Sequence, residues 1–175
     1  MKAELEEEFR EFAVVAMPRL RRLAHATCRD AHRADDLVQT TLEKMYAAWP
    51  RVHGVESPFA YARTALVRTL ISEQRRHRWR REVSASDATL AHLAEPVLGA
   101  GGAAADARLD LAVALAELPP RQRMAVVLRH LEDLPVTEVA QVMGCSEGTV
   151  KSTTSAGLAA LRRSLETTVG QEVPR

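Results

Sequence analysis

The chain has 175 residues, of which 46% are hydrophobic, 27% charged and only 4% aromatic, the make-up of a helical protein whose core is filled by alanine, leucine and valine. A formal net charge of +1 excludes a case for nucleic acid built on overall basicity, so any such case must come from how charge is distributed. Cys28 and Cys145 stand far apart, outside any CxxC or Cys/His set, which argues against a disulfide scaffold or a zinc site; each reads as a small buried hydrophobe. The N-terminal "MKAELEEEFREF" is acidic and amphipathic, unlike a signal peptide, and no apolar run approaches the ~18 residues of a membrane span. A cytoplasmic protein without membrane insertion is expected.

Residues 3 to about 82 carry helical periodicity throughout. Phe9, Phe12, Ala13, Ala16, Leu20, Leu23 and Ala24 recur at helical spacing, with Pro18 as a kink or break. "CRDAHRADD" interrupts the pattern, and a second helix is predicted from Asp36 to Trp49. Pro50 and Gly54 make "WPRVHGVESPFAY" a loop. Ser57 followed by Pro58 is a helix entry, because a capping hydroxyl precedes a proline whose missing N–H costs nothing in a first turn; this helix is expected to run to about Arg81. After Glu82 the composition shifts to alanine, glycine and serine, and residues 83–105 read as a flexible linker.

The second lobe spans 106–168 and divides into four short helices. The first, marked by Leu111, Leu115 and Leu118, ends at Pro119–Pro120, and the next runs from Arg121 to Leu131. Thr137 is expected to cap a helix reaching Val142, Gly144 to supply a turn, and Ser146 to cap a last helix from Glu147 to about Leu165. Wound at about 100° per residue, that helix gathers Val150, Thr154, Leu158 and Leu161 on one side and Thr149, Ser152, Ala156 and Ala159 near the other. Small and hydroxylated residues outward suit a helix that sinks into the major groove, so the pattern reads as a helix-turn-helix. Arg121, Arg123 and Lys151 are candidate phosphate contacts.

Two further stretches carry chemistry. "YARTALVRTLISEQRRHRWRRE" packs arginines around Trp79, which fits a surface that tracks a nucleic-acid backbone and stacks on an unpaired base. Asp35, Asp36, Gln39 and Glu43 form a polar, partly acidic side opposite Leu37 and Val38, suited to a basic partner surface. No nucleophile–base set, phosphate loop or metal cluster accompanies these acids, so no enzyme, catalytic site, metal or cofactor is expected. A stand-alone LuxR-type transcriptional regulator would share the "SEGTVK" turn, and an RNA-binding adaptor would share the basic helix.

"ADDLVQTTLEKMYAAWPRV", "SPFAYARTALVRTLISEQRR" and "LAELPPRQRMAVVLRHLEDLPVTEVAQVMGCSEGTVKSTTSAGLAALRR", in this order, resemble a bacterial RNA polymerase sigma factor of the extracytoplasmic-function group, most similar to its actinobacterial SigE-like branch. The resemblance implies an all-α protein of two small domains: residues 5–82 as sigma region 2, and 106–168 as region 4 with its helix-turn-helix. It implies an alternative sigma factor that binds core RNA polymerase and directs it to promoters. Asp35, Asp36, Leu37, Val38 and Gln39 would dock on the β′ clamp helices. The loop that holds Trp49, Arg51 and Ser57 would take a flipped base of the −10 element. The helix bearing Arg63, Arg68, Arg75 and Arg76 would contact and open the −10 duplex. Region 4 would dock on the β flap and set Arg121, Arg123, Glu147, Thr149, Lys151, Ser152 and Thr153 against the −35 element. Promoter DNA and an anti-sigma factor, common in the group, are the other implied partners. The chain departs from many members in having Ala65-Leu66-Val67-Arg68 in the promoter-opening helix, and Thr153 and Ala156 where arginines are frequent.

Overall fold

The computed structural model describes residues 3–83 and 103–171, with side chains described for 3–76 and 109–167. Its described residues form helices and turns, without a strand, and separate into two compact units.

The first unit is carried by α1 (Ala3–Thr27), α2 (Ala31–Val52) and α3 (Pro58–Val83). Leu20 and Leu23 of α1, Leu37 and Met45 of α2, and Leu66 and Leu70 of α3 are fully buried and supply most of its core. Fully burying side chains of this size contributes about 1.5–3 kcal/mol each. Phe9 and Phe12 of α1 close on Trp49 of α2, with ring centroids at 5.4 and 4.9 Å.

Pro18, expected as a kink or break, and Pro50, expected in a loop, both lie inside helices. Pro18 sits within α1 and Pro50 within α2, which therefore runs to Val52 and leaves a shorter loop than 49–57. A mid-helix proline deprives the carbonyl four residues earlier of its donor. Here those carbonyls belong to Val14 and Tyr46, and all four residues are exposed, so solvent can take the donor's place. The helix α2 also starts at Ala31, earlier than the sequence suggested.

The second unit begins with α4 (Ala103–Glu117), followed by α5 (Pro120–Val126), a π-helical turn (Val127–Leu131), α6 (Val136–Met143) and α7 (Glu147–Gln171). Only the ends of the expected linker are described, Val83 within α3 and 103–105 within α4; the rest lies outside the described residues. Ala114, Leu118, Val126 and Leu161 form a core cluster, against which Leu115, Leu158 and Leu165 pack. The π turn is closed by Glu132 N–H to Val127 O at 3.1 Å, after which Asp133 takes a left-handed φ of 51°.

Thr137 does not cap α6. Pro135 holds the N-cap position in an extended conformation and makes no side-chain cap bond, which puts Thr137 inside the first turn. Gly144 ends α6 at φ +64°, a region glycine enters without steric cost, and its N–H bonds Ala140 O.

The contact between α5 and α7 depends on Gly157. A Cβ there would lie 2.7 Å from Val126 Cγ2 and 3.3 Å from Gln122 O. Gly157→Ala gains about 1 kcal/mol of helix propensity but must displace a stiff β-branched neighbour. We expect a net loss of about 1–2 kcal/mol in denaturant unfolding. Thr154, on the same buried side, has no hydrogen-bond partner for its Oγ1 among the described residues. Thr154→Val should therefore raise stability by about 1 kcal/mol in the same assay.

Candidate nucleic-acid interface

The helix α7 is held at its start by Ser146. The Thr149 N–H donates to Ser146 Oγ at 3.1 Å and the Val150 N–H to Ser146 O at 3.0 Å, satisfying donors that a helix N-terminus leaves open. Val150, Thr154, Gly157 and Leu161 are buried, whereas Gly148, Thr149, Lys151, Ser152, Ser155, Ala156, Ala159, Arg162 and Arg163 are exposed. The exposed set occupies an arc of about 160° at 100° per residue, a continuous polar face. Thr149, Lys151 and Ser152 therefore lie on this face, Glu147 is exposed just beyond one edge of it, and Thr153 is half-buried at the other margin. Ser152 Oγ donates to Thr149 O at 3.2 Å, so its lone pairs remain open to a donor. An open cleft lined by Thr137, Gln141, Gly144, Cys145 and Glu147 adjoins the start of α7.

Arg121 is exposed at the start of α5, but Arg123 is not a phosphate contact. Its side chain is 2% exposed and donates to the carbonyls of Leu115 (2.7 Å), Ala116 (2.8 Å) and Leu118 (2.9 Å) at the end of α4. A helix end leaves such carbonyls without donors, and the guanidinium's five N–H groups supply them. Burial lowers its pKa to about 10, which still leaves it charged at neutral pH. The spacing of Arg121 and Arg123 gave no sign that one points inward.

In the first unit, Ser57 caps α3 through the Ala60 N–H, at 3.2 Å. Tyr61, Arg68, Ser72 and Arg75 then fall within about 60° on one exposed face, with Arg76 beside them. Tyr61 is 47% exposed and lies one heptad before Arg68, itself one heptad before Arg75. That spacing was the signal for Tyr61, which sequence reasoning passed over in favour of Trp49 and Trp79. Arg162 and Arg163 of α7 were also missed.

Four expected contacts of the first unit are corrected by burial. Trp49 is 3% exposed within the Phe9–Phe12 cluster, so no face of its ring is open to a base. Arg63 is 7% exposed, on the side of α3 that carries Leu66 and Leu70. Leu37 and Val38 lie in the core, because α2 turns its apolar side inward. The surface of "DDLVQ" therefore consists of Asp35, Asp36 and Gln39. Asp35 meets Arg21 at 3.1 Å and His25 at 3.5 Å, and Gln39 donates to Glu43 at 3.1 Å. Arg51 and Ser57 are exposed; Trp79 lies outside the residues whose side chains are described.

A capped helix with a polar outer face, and a separate helix with an aromatic-basic face, are the surfaces of a two-part DNA-binding protein. Residues 15–80 match the family described as Sigma-70 region 2, and residues 108–161 match Sigma-70, region 4. The RNA polymerase sigma-E factor of Streptomyces coelicolor is 35% identical over 159 residues, covering 90% of this chain and 86% of that protein. The ECF RNA polymerase sigma factor EcfG of Rhodopseudomonas palustris is 31% identical over 149 residues, covering 85% and 80%. Among solved structures, the sigma factor RpoE of Bartonella quintana, in complex with the anti-sigma factor NepR, superposes with a TM-score of 0.69 at 26% identity, covering 91% of this chain and 98% of that one. The chain belongs to the extracytoplasmic-function RNA polymerase sigma factors, of the SigE-like type. It is an alternative sigma factor that directs RNA polymerase to promoters, and a stand-alone LuxR-type regulator is not favoured, since the relatives match both units.

The inward placement of Arg123 has a measurable consequence. Arg123→Met removes three charge-assisted hydrogen bonds to the end of α4 and should cost about 2–4 kcal/mol of stability in thermal or denaturant unfolding. Arg121→Met should leave stability within about 0.5 kcal/mol of the parent.

Proposed function

We propose that the two units divide the promoter between them: α3 of the first contacts and opens the −10 element, and α7 of the second reads the −35 element. The observation that carries this reading is the distribution of stacking groups. Every Phe, Tyr and Trp of the chain precedes residue 80. Unpaired bases are held by stacking on aromatic rings, whereas a duplex major groove is read by side-chain hydrogen bonds and methyl contacts. Only the first unit has the residues for opened strands, and Tyr61, beside Arg68 and Arg75, supplies an exposed ring.

In this reading Arg51, Ser57, Tyr61, Arg68, Arg75 and Arg76 meet the −10 region, while Arg121, Glu147, Thr149, Lys151, Ser152 and Thr153 meet the −35 region, joined by Arg162 and Arg163 at the backbone. Asp35, Asp36 and Gln39 dock on the β′ clamp helices, and the second unit docks on the β flap. The protein works by binding and not by catalysis, in the cytoplasm with the polymerase, and an anti-sigma protein of the kind seen with the Bartonella relative restrains it. Each unit alone holds DNA weakly. With both on one polymerase, the second contact becomes intramolecular and gains from effective concentration.

Run-off transcription with reconstituted holoenzyme tests the assignment. Arg75→Gln should weaken promoter binding on all sequences and lower the log–log salt slope by about 0.7–0.9. Ser152→Ala should change the ranking of −35 variants while leaving that slope nearly intact. Equal losses on every −35 variant would remove Ser152 from sequence readout, and an absence of promoter-specific transcript would sink the whole reading.

A further inference from the structure

Lys44 lies on α2, whose exposed acids suit a docking surface, yet its ammonium turns toward α3. Nζ donates to Thr69 Oγ1 at 2.7 Å, one residue beyond Arg68. The Thr69 hydroxyl donates in turn to Ala65 O at 2.8 Å, so a lone pair is what Lys44 meets. An ammonium carries three N–H donors. The remaining two find no acceptor among the described residues, although Lys44 is exposed.

Its charge is equally uncompensated. Among the described residues, Lys44, Arg51, Arg68, Arg75 and Arg76 make no ion pair with a carboxylate. The adjacent Glu43 turns about 100° away and accepts from Gln39 at 3.1 Å. Lys44 and Arg51 are seven residues apart on α2 and so share one edge of it. Lys44 meets α3 at Thr69, one heptad before Arg76, so cationic residues of two helices share that side.

We propose that Lys44 is a DNA-backbone contact of the first unit. Its ammonium, held in place by Thr69, binds a phosphodiester of the strand whose bases α3 handles. The proposal rests on the reading of α3 as the −10 helix. It gives α2 two edges of opposite charge, one for the polymerase and one for the promoter. A phosphate accepts charge-assisted bonds from both free N–H groups without displacing Thr69.

Holoenzymes carrying Lys44→Gln, Lys44→Arg or Arg75→Gln, titrated with one promoter duplex across a salt series, test it. Lys44→Gln should weaken binding roughly three- to tenfold near 0.1 M salt and lower the log–log slope by about 0.7–0.9. The loss should be the same on altered −10 sequences, as for a contact that positions without reading. Lys44→Arg should retain most of the affinity. Unfolding curves of both Lys44 variants should match the parent. A parental slope for Lys44→Gln beside a reduced slope for Arg75→Gln overturns the proposal and leaves α3 on the DNA. Weakened assembly of Lys44→Gln with core polymerase, at unchanged DNA affinity of the assembled holoenzyme, also overturns it and places Lys44 on the docking surface. Parental slopes for both variants overturn the −10 reading of α3 as well.

Discussion

The orientation of α7 depends on how closely one side of it approaches α5. Gly157 has no Cβ, and Val126 occupies the space where one would stand. Val150 and Leu161, on the same side, are drawn inward with it. A helix in a major groove needs its outer side free of bulk and its orientation set to within a fraction of a turn. Small outer residues meet the first need, and tight packing on the inner side meets the second, since a close-packed interface has few alternative arrangements. The Ser146 cap and the left-handed Gly144 turn then set where that side begins.

A similar division between inner and outer sides governs the first unit. Its three helices put aliphatic side chains inside and keep arginine, serine and one tyrosine on the outer face of α3. An overall charge of +1 conceals this arrangement, because acids cluster on α1 and the exposed side of α2 while unpaired cations gather on and beside α3. For a protein that meets both an enzyme surface and a polyanion, such separation matters more than net charge.

The fold was readable to a large extent because helical periodicity, the Ser57–Pro58 entry and the Gly144–Ser146 turn are local signals. Family resemblance carried the assignment further than periodicity could. What misled was also local. Pro18 and Pro50 read as breakers, yet a proline is tolerated where the orphaned carbonyl faces solvent, and sequence alone does not say which way a carbonyl faces. Trp49, Arg63 and Arg123 were chosen by residue type, since tryptophan stacks and arginine binds phosphate. Their directions depend on which side of the helix the core claims. Leu37 and Val38 follow the same rule, because a docking motif on an amphipathic helix shares its letters with the core. Tyr61 shows the converse: its heptad relation to Arg68 and Arg75 was legible but lay beneath two more conspicuous tryptophans.

The confinement of aromatic residues to the first 79 positions has an optical consequence. Tyrosine and tryptophan fluorescence, and the near-ultraviolet dichroism of packed rings, arise from the first unit alone. Trp49, enclosed by Phe9 and Phe12 with no acceptor for its indole N–H among the described residues, is placed to emit at the blue end of the tryptophan range and to shift red when that core opens. The second unit, whose core is aliphatic, is dark to these methods. A melt followed by intrinsic fluorescence therefore reports on the first unit and says nothing of α7, whose unfolding has to be followed through the far-ultraviolet helical signal.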